Sequence, residues 1–185
     1  MDQPAYKTPR ETRMVISELM LPSHSNFSGK IHGGYILHLL DQIAFACASK
    51  HSGNYCVTAS VDKVNFIQPI EVGELVTMKA SVNYTGRTSM VIGIRVEAEN
   101  IQTGVIKHCN SSYFTMVAKD ELGKNAAVPG LKLEYKQDVR RFVERMRKKD
   151  DYKRSEQEFD AKTFDIEKYL GQLEGLNTVI ELKTS

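Results

Sequence analysis

Residues 35–50 read YILHLLDQIAFACASK. Ile36, Leu37, Leu39, Leu40, Ile43, Ala44, Phe45, Ala46, Cys47 and Ala48 cover nearly the whole circumference of a 3.6-residue turn. A helix that is apolar almost all round is a buried one. His51, Ser52 and Gly53 end it, with Gly53 suited to a C-terminal cap. Upstream, residues 14–21 (MVISELML) are β-prone and stop at Pro22, and residues 22–34 form a polar loop rich in Ser, Gly, Asn and His. Such loops carry function more often than packing. Downstream come four strand-like segments. Residues 55–66 alternate through Val57, Ala59 and Val61, then change register near Asp62 to continue at Val64 and Phe66. Residues 74–85, 89–99 and 105–118 follow, joined by short turns at 86–88 and 100–104. One strand, one buried helix and an antiparallel meander pack most economically as a single sheet wrapped around the helix, an α+β architecture.

Composition narrows the function. With 185 residues the chain has room for one domain and an appendage. A net charge of +2 is too small to imply nucleic acid. No apolar run approaches the roughly 18 residues of a membrane span. The polar start MDQPAYKTPRETR has no apolar signal core, and Cys47, Cys56 and Cys109 lack metal or disulfide spacing. These features predict a cytoplasmic protein without a metal site. Residues 1–13 read as a flexible arm, 14–130 as the folded domain and 131–185 as a charged, mainly helical C-terminal extension. In that extension Val139, Phe142, Val143 and Met146 are spaced for one amphipathic helix within 132–168. Its interleaved charge signs read as a solvated face rather than a nucleic-acid or membrane surface. Residues 170–183 add a further short helix or strand.

The chemistry concentrates in SHSNFSGKIHGGYILHLLDQ, residues 23–42. Asp41 stands between Leu40 and Ile43, and a carboxylate in such surroundings is either paired or used. It can be a structural Asp held by backbone or a lysine, or a base or nucleophile at a cleft. Gly33 and Gly34 sit at the helix start. They can merely permit a tight entry, or they can let a carbonyl approach free N–H groups at the positive end of the helix dipole. Asn26 can add a donor or orient water. Arg87, Thr88 and Ser89, in the turn after Gly86, are either ordinary surface groups or donors to phosphate. Asp62 is placed beside the register change, free to pair with Lys63 or Arg95. His32 shapes the loop, and His38 packs or faces a subunit. His108 and Cys109 point to opposite faces of a strand and do not form a catalytic pair. There is no G-x-S-x-G elbow.

Three segments together, NFSGKIHGG-x-x-L-x-L-L-D-Q, VDKVNFIQPI-x-VGE and GRTSM, resemble the hotdog-fold acyl-CoA thioesterases. The branch is that of the bacterial acyl-CoA hydrolases related to the cytosolic brain-type enzyme. The likeness spans residues 14–118. It implies a helix wrapped by antiparallel sheet, and two units paired edge to edge as a homodimer, often as a trimer of dimers. It further implies a composite site in which Asn26 of one unit meets Asp41 of the other, with Asp41 activating water or attacking directly. Gly33 and Gly34 would hold the thioester carbonyl, and Arg87, Thr88 and Ser89 the CoA phosphates. No cofactor is implied, CoA being part of substrate and product. A non-catalytic acyl-CoA sensor and a hotdog enoyl-CoA hydratase or dehydratase are the competing readings. The 55 residues beyond residue 130 exceed a minimal hotdog and bear on the oligomer.

Overall fold

The computed structural model describes residues 6–62, 64–158 and 177–178. In chain order the elements are β1 (Tyr6–Lys7), β2 (Met14–Leu19), α1 (Gly33–Ser52), β3 (Tyr55–Val61), β4 (Asn65–Phe66), β5 (Glu74–Thr85), β6 (Ser89–Asn100), β7 (Val105–Lys119), β8 (Gly130–Leu131) and α2 (Lys136–Glu158). One antiparallel sheet runs in the order β2-β5-β6-β7-β3, and β4 also pairs with β7. The inner face of this sheet carries Val76, Met78, Val82, Met90, Ile92, Val96, Phe114 and Met116. They close on Ile36, Leu40, Ile43, Ala44 and Cys47 of α1, which touches every long strand. This is the sheet wrapped around a helix that the alternation and the apolar helix predict, and the hotdog architecture that the resemblance implies. Among the described residues no helix is long and apolar enough to cross a membrane.

α1 is one turn longer than residues 35–50 suggest, and both its ends are capped. His32 is the N-cap, its Nδ1 accepting from the Gly34 N–H at 3.0 Å. Gly53, with φ 71°, turns the chain into the left-handed region and donates its N–H to the Ser49 carbonyl at 2.8 Å. The helix is not buried on every side. Leu37, Asp41 and Phe45, spaced by four, form an exposed stripe with His38 and Gln42.

Three further expectations change. Residues 55–66 are two strands rather than one, and the register shift lies between Thr58 and Ser60, not near Asp62. The inward side chains of β3 are therefore Cys56 and Thr58. Residues 6–13 do not behave as a loose arm: β1 pairs in parallel with β8, Lys7 Nζ donates to the His51 carbonyl at 2.7 Å, and Thr12 is buried. The compact unit also continues past residue 130 to Met146. Within it, Phe142 packs on Tyr84 at 5.0 Å, and the buried Arg145 lies 3.5 Å from the Tyr113 ring and 3.3 Å from Asp62. Asp62 is thus matched with Arg145, and Arg95 with Glu97 at 2.6 Å. A second unit starts at Arg147, and its described part holds the remainder of α2, with Arg154 paired to Asp151. The additional element expected over 170–183 lies outside the described residues apart from 177 and 178.

His51 fastens the end of α1. It is fully buried, and its Nε2–H donates to the Pro129 carbonyl at 2.9 Å while Nδ1 faces the Thr12 hydroxyl at 3.4 Å. Burial holds its pKa below the ordinary value of 6.5, outweighing the Pro129 bond that pulls the other way. The unfolded chain therefore binds a proton on this ring at a pH where the folded protein does not. The ring's contribution to stability is complete above about pH 6.5 and is lost as the pH falls through that value toward the folded pKa. The urea midpoint should fall between pH 7.5 and 5.5, and His51→Gln should flatten that dependence. An unchanged slope in the variant would remove His51 as its source.

Candidate active site

The exposed stripe of α1 faces β3 at one edge of the sheet. There Asp41 Oδ1 accepts from the Thr58 hydroxyl at 2.6 Å, and Thr58 Oγ1 also lies 3.4 Å from Met116 Sδ. Asp41 is exposed, not buried as its neighbours in sequence suggest. The apolar residues one turn either side of it, Leu37 and Phe45, are exposed with it. Phe45 meets the exposed Tyr55 ring edge-on at 5.6 Å. Leu37 and Phe45 thus flank the carboxylate along the helix, and no described strand pairs with the free edge of β3. A surface of this kind marks association.

Asn26 is fixed by its own loop. Its Oδ1 accepts from Ser28 N at 2.9 Å, Ser28 Oγ at 2.7 Å and Lys30 N at 3.2 Å. Three donors on one oxygen settle which end of the amide is which, and no described bond uses Nδ2. The loop is closed by the Ser25–Ile31 bridge and by His32 N–H donating to the His24 carbonyl at 2.9 Å. Tyr35, stacked on His24 at 4.0 Å, donates to Glu18 of β2, a bond that raises the phenol pKa.

The two glycines at the helix start differ. The Gly34 N–H is taken by His32, so it is not a free donor for a carbonyl, contrary to the sequence reading. No described hydrogen bond uses the Gly33 N–H. A Cβ on Gly33 would stand 3.3 Å from Phe66 Cζ, so a side chain there would press on that ring. His32 acts as the helix cap, and His38 contacts Gln42 at 3.1 Å on the exposed stripe.

Gly33 and Asp41 are eight residues apart on one helix, about 12 Å along its axis. No described bond joins Asn26 to Asp41. The structure instead brings Asp41 to Thr58, a residue that sequence reasoning missed. The inner row Thr58, Met116 and Met90 runs straight across three strands, and Ser89 follows beside it. That places the 86–89 turn about 10 Å from the Asp41–Thr58 pair, two strand spacings away. The turn is anchored by Gly86 N–H on the Ser89 carbonyl at 2.7 Å, Ala118 N–H on the Thr88 carbonyl at 3.0 Å and Val128 N–H on the Arg87 carbonyl at 3.1 Å. The exposed Arg87 side chain makes no described ion pair.

The thiols are poor nucleophiles. Burial pushes Cys47 up to about 12 and raises Cys109, and His108 is engaged by the Asn110 carbonyl and Ser111 hydroxyl, each at 2.9 Å. No cluster of potential metal ligands occurs among the described residues.

Comparison with known proteins gives the family. The family model described as thioesterase superfamily matches residues 28–105. Protein VdlD of Helicobacter pylori is 41% identical over 77% of this chain and 82% of its own. A hexameric acyl-CoA thioesterase crystallised without ligand superimposes with a TM-score of 0.77 at 35% identity, covering 81% of this chain and 97% of that one. The Staphylococcus aureus acyl-CoA hydrolase, as an asparagine-to-alanine variant with coenzyme A, gives 0.77 at 26% identity over 92% and 99%. That hydrolase has also been solved with an aspartate and with a threonine changed to alanine. In fold and in sequence, this chain belongs to the thioesterase superfamily, among the hotdog-fold acyl-CoA hydrolases.

Proposed function

We propose that the protein hydrolyses acyl-CoA thioesters to a free fatty acid and CoA, at sites shared between two copies of the chain. The observation that carries this reading is the carboxylate of Asp41, held by Thr58 on an apolar-bordered open face. The three residue types altered in the Staphylococcus aureus hydrolase, an asparagine, an aspartate and a threonine, stand at the same separations along the chain as Asn26, Asp41 and Thr58. That pattern supports a role for all three here.

In the proposed reaction Asp41 takes a proton from water as its oxygen attacks the thioester carbon. The hydroxyl of Thr58 fixes the orientation of the carboxylate and leaves its second oxygen for the water. The carbonyl oxygen gains charge, and the donors proposed for it are the Gly33 N–H and the Asn26 Nδ2 of a second copy. The C–S bond then breaks, and the CoA sulfur leaves as thiolate and is protonated. Gly34 serves the reaction through the His32 cap instead of as a donor. Arg87 pairs with CoA phosphate, with the Thr88 and Ser89 hydroxyls as neighbours. No metal or separate cofactor takes part, and CoA enters and leaves as substrate and product. We place the reaction in the cytoplasm, supported by three cysteines held as free buried thiols.

Two copies meeting along the β3 edge and the α1 stripe would cover the apolar border and enclose Asp41. A homodimer, built further into a trimer of dimers, is the arrangement that the hexameric relative favours. Thiol release from a panel of acyl-CoAs of increasing chain length tests the reading. Steady turnover is expected for part of that series. Acyl-CoA binding with no thiol release on any member would instead make the protein a sensor, and water addition to an enoyl-CoA without thiol release would make it a hydratase.

A further inference from the structure

Residues 26–30 make a turn that holds its own shape. The Asn26 N–H donates to the Lys30 carbonyl at 2.7 Å, the Gly29 N–H donates to the Asn26 carbonyl at 3.0 Å, and Gly29 takes φ 76° to close the turn. Where the turn sits on the body is a separate matter, and its two legs are seated differently. The leg after it is anchored by Ile31, which is buried and donates its N–H to the Ile70 carbonyl at 2.9 Å. The Lys30–Glu71 ion pair beside it is well exposed and adds little. The leg before it, residues 21–25, contains no buried residue. Its bonds from His24 N–H to the Leu21 carbonyl and from Ser25 N–H to the Pro22 carbonyl stay within the leg. Three described contacts join that leg to the rest: the Ser25–Ile31 bridge, the His32 N–H on the His24 carbonyl, and the His24 ring stacked on Tyr35. The first two stay within the loop. The stack reaches into α1.

Tyr35 is itself held in a way that plain packing does not call for. The inward row of β2 runs through Met14, Ile16 and Glu18 to Met20 just beyond it, and the three methionine and isoleucine side chains pack on the core. A carboxylate stands where that alternation calls for an apolar group. Glu18 accepts from the Tyr35 hydroxyl, and a charged acceptor makes this one of the stronger kinds of hydrogen bond. The phenol cannot swing away without leaving the carboxylate, so its ring stays against His24, 4.0 Å away and tilted by 21°.

We infer that Tyr35 is a positioning residue for hydrolysis: through His24 it sets where the Asn26 turn stands, and with it the Asn26 amide, without touching the substrate. The inference rests on the reading of Asn26 and Asp41 as partners across two copies. A donor to the developing oxyanion works only at hydrogen-bond distance, and a displacement of about 1 Å can cost on the order of 10²-fold. Tyr35 therefore belongs to the half of the site that its own chain lends to the other copy.

Tyr35→Leu keeps an apolar side chain at the start of α1 and removes both the stack and the Glu18 bond. Hydrogen exchange over residues 22–32, read by mass spectrometry, should quicken by about tenfold in this variant. Turnover is read in coexpressed pairs of an Asn26→Ala chain and an Asp41→Ala chain, whose intact sites take Asn26 from the Asp41→Ala chain. Tyr35→Leu placed on the Asp41→Ala chain should lower the restored thiol release by about tenfold, with KM changed by less than about twofold. Placed on the Asn26→Ala chain, where the amide is already gone, it should cost less than about twofold. A merely structural role would lower both pairs alike, and that result overturns the inference, as does exchange at the parent's rate. Control pairs lacking Tyr35→Leu that restore no activity would defeat the shared-site reading itself, and this inference with it. Active control pairs with no difference between the two placements would defeat the inference alone.

Discussion

Asp41→Ala is expected to lower kcat for acyl-CoA hydrolysis by about 10³-fold, near 4 kcal/mol of transition-state stabilisation. The substitution should leave the fold intact. Asp41 is exposed, and its one described bond is to Thr58, so removing it costs about 1 kcal/mol of stability. CoA binding should survive, because Arg87 and the 86–89 turn are about 10 Å away across the sheet. Asp41→Asn sharpens the test. The amide keeps the shape and can still accept from Thr58, but it cannot take a proton from water. Alanine and asparagine variants should therefore be equally inactive. An Asp41→Asn enzyme with near-normal kcat would show that the residue only positions a group, and the water-activation step would fail. Thr58→Val should fall between these and the parent, since it frees the carboxylate to rotate without removing it. Steady-state thiol release for the three variants, with CoA affinity by calorimetry, reads all of this.

The fold was legible because two periodicities are written plainly. Ile36, Leu40, Ile43 and Cys47 carry the helical repeat, and Met90, Ile92, Ile94 and Val96 the strand repeat. Periodicity cannot separate a side chain buried in its own chain from one that another copy would cover. Leu37 and Phe45 look like core in sequence and stand in the open, and Asp41 between them was read as buried for the same reason. Thr58 was hidden by the bulge after it. CVTAS alternates acceptably on either face, and only the pairing with Met116 shows that the hydroxyl turns inward. Small polar anchors carry no period at all. The two-residue β1 and the Thr12–His51 contact tie down an expected loose arm, and the Asp62–Arg145 pair is the anchor of a helix whose docking the sequence suggests without naming the partner. Gly33 and Gly34 are identical in sequence, and only the cap made by His32 shows that the Gly34 N–H is taken.

Mixing two inactive proteins should restore activity, and this is the larger claim about the assembly. Asn26→Ala and Asp41→Ala would each be inactive alone if the site needs one residue from each copy. When both chains are coexpressed and pair at random, half of the dimers contain one of each. In such a dimer one site holds both substitutions and the other holds neither. About one quarter of all sites should then be intact, so turnover should rise from near zero to about a quarter of the parent rate. The expectation rests on the proposed division of labour, in which Asn26, in the loop before α1, serves a thioester together with the Asp41 of another copy. If coexpression gave no more activity than the sum of the two variants, each site would lie within one chain. The exposed stripe of α1 would then be an oligomer contact without catalytic meaning, and Asn26 would be reduced to the turn that its Oδ1 already holds.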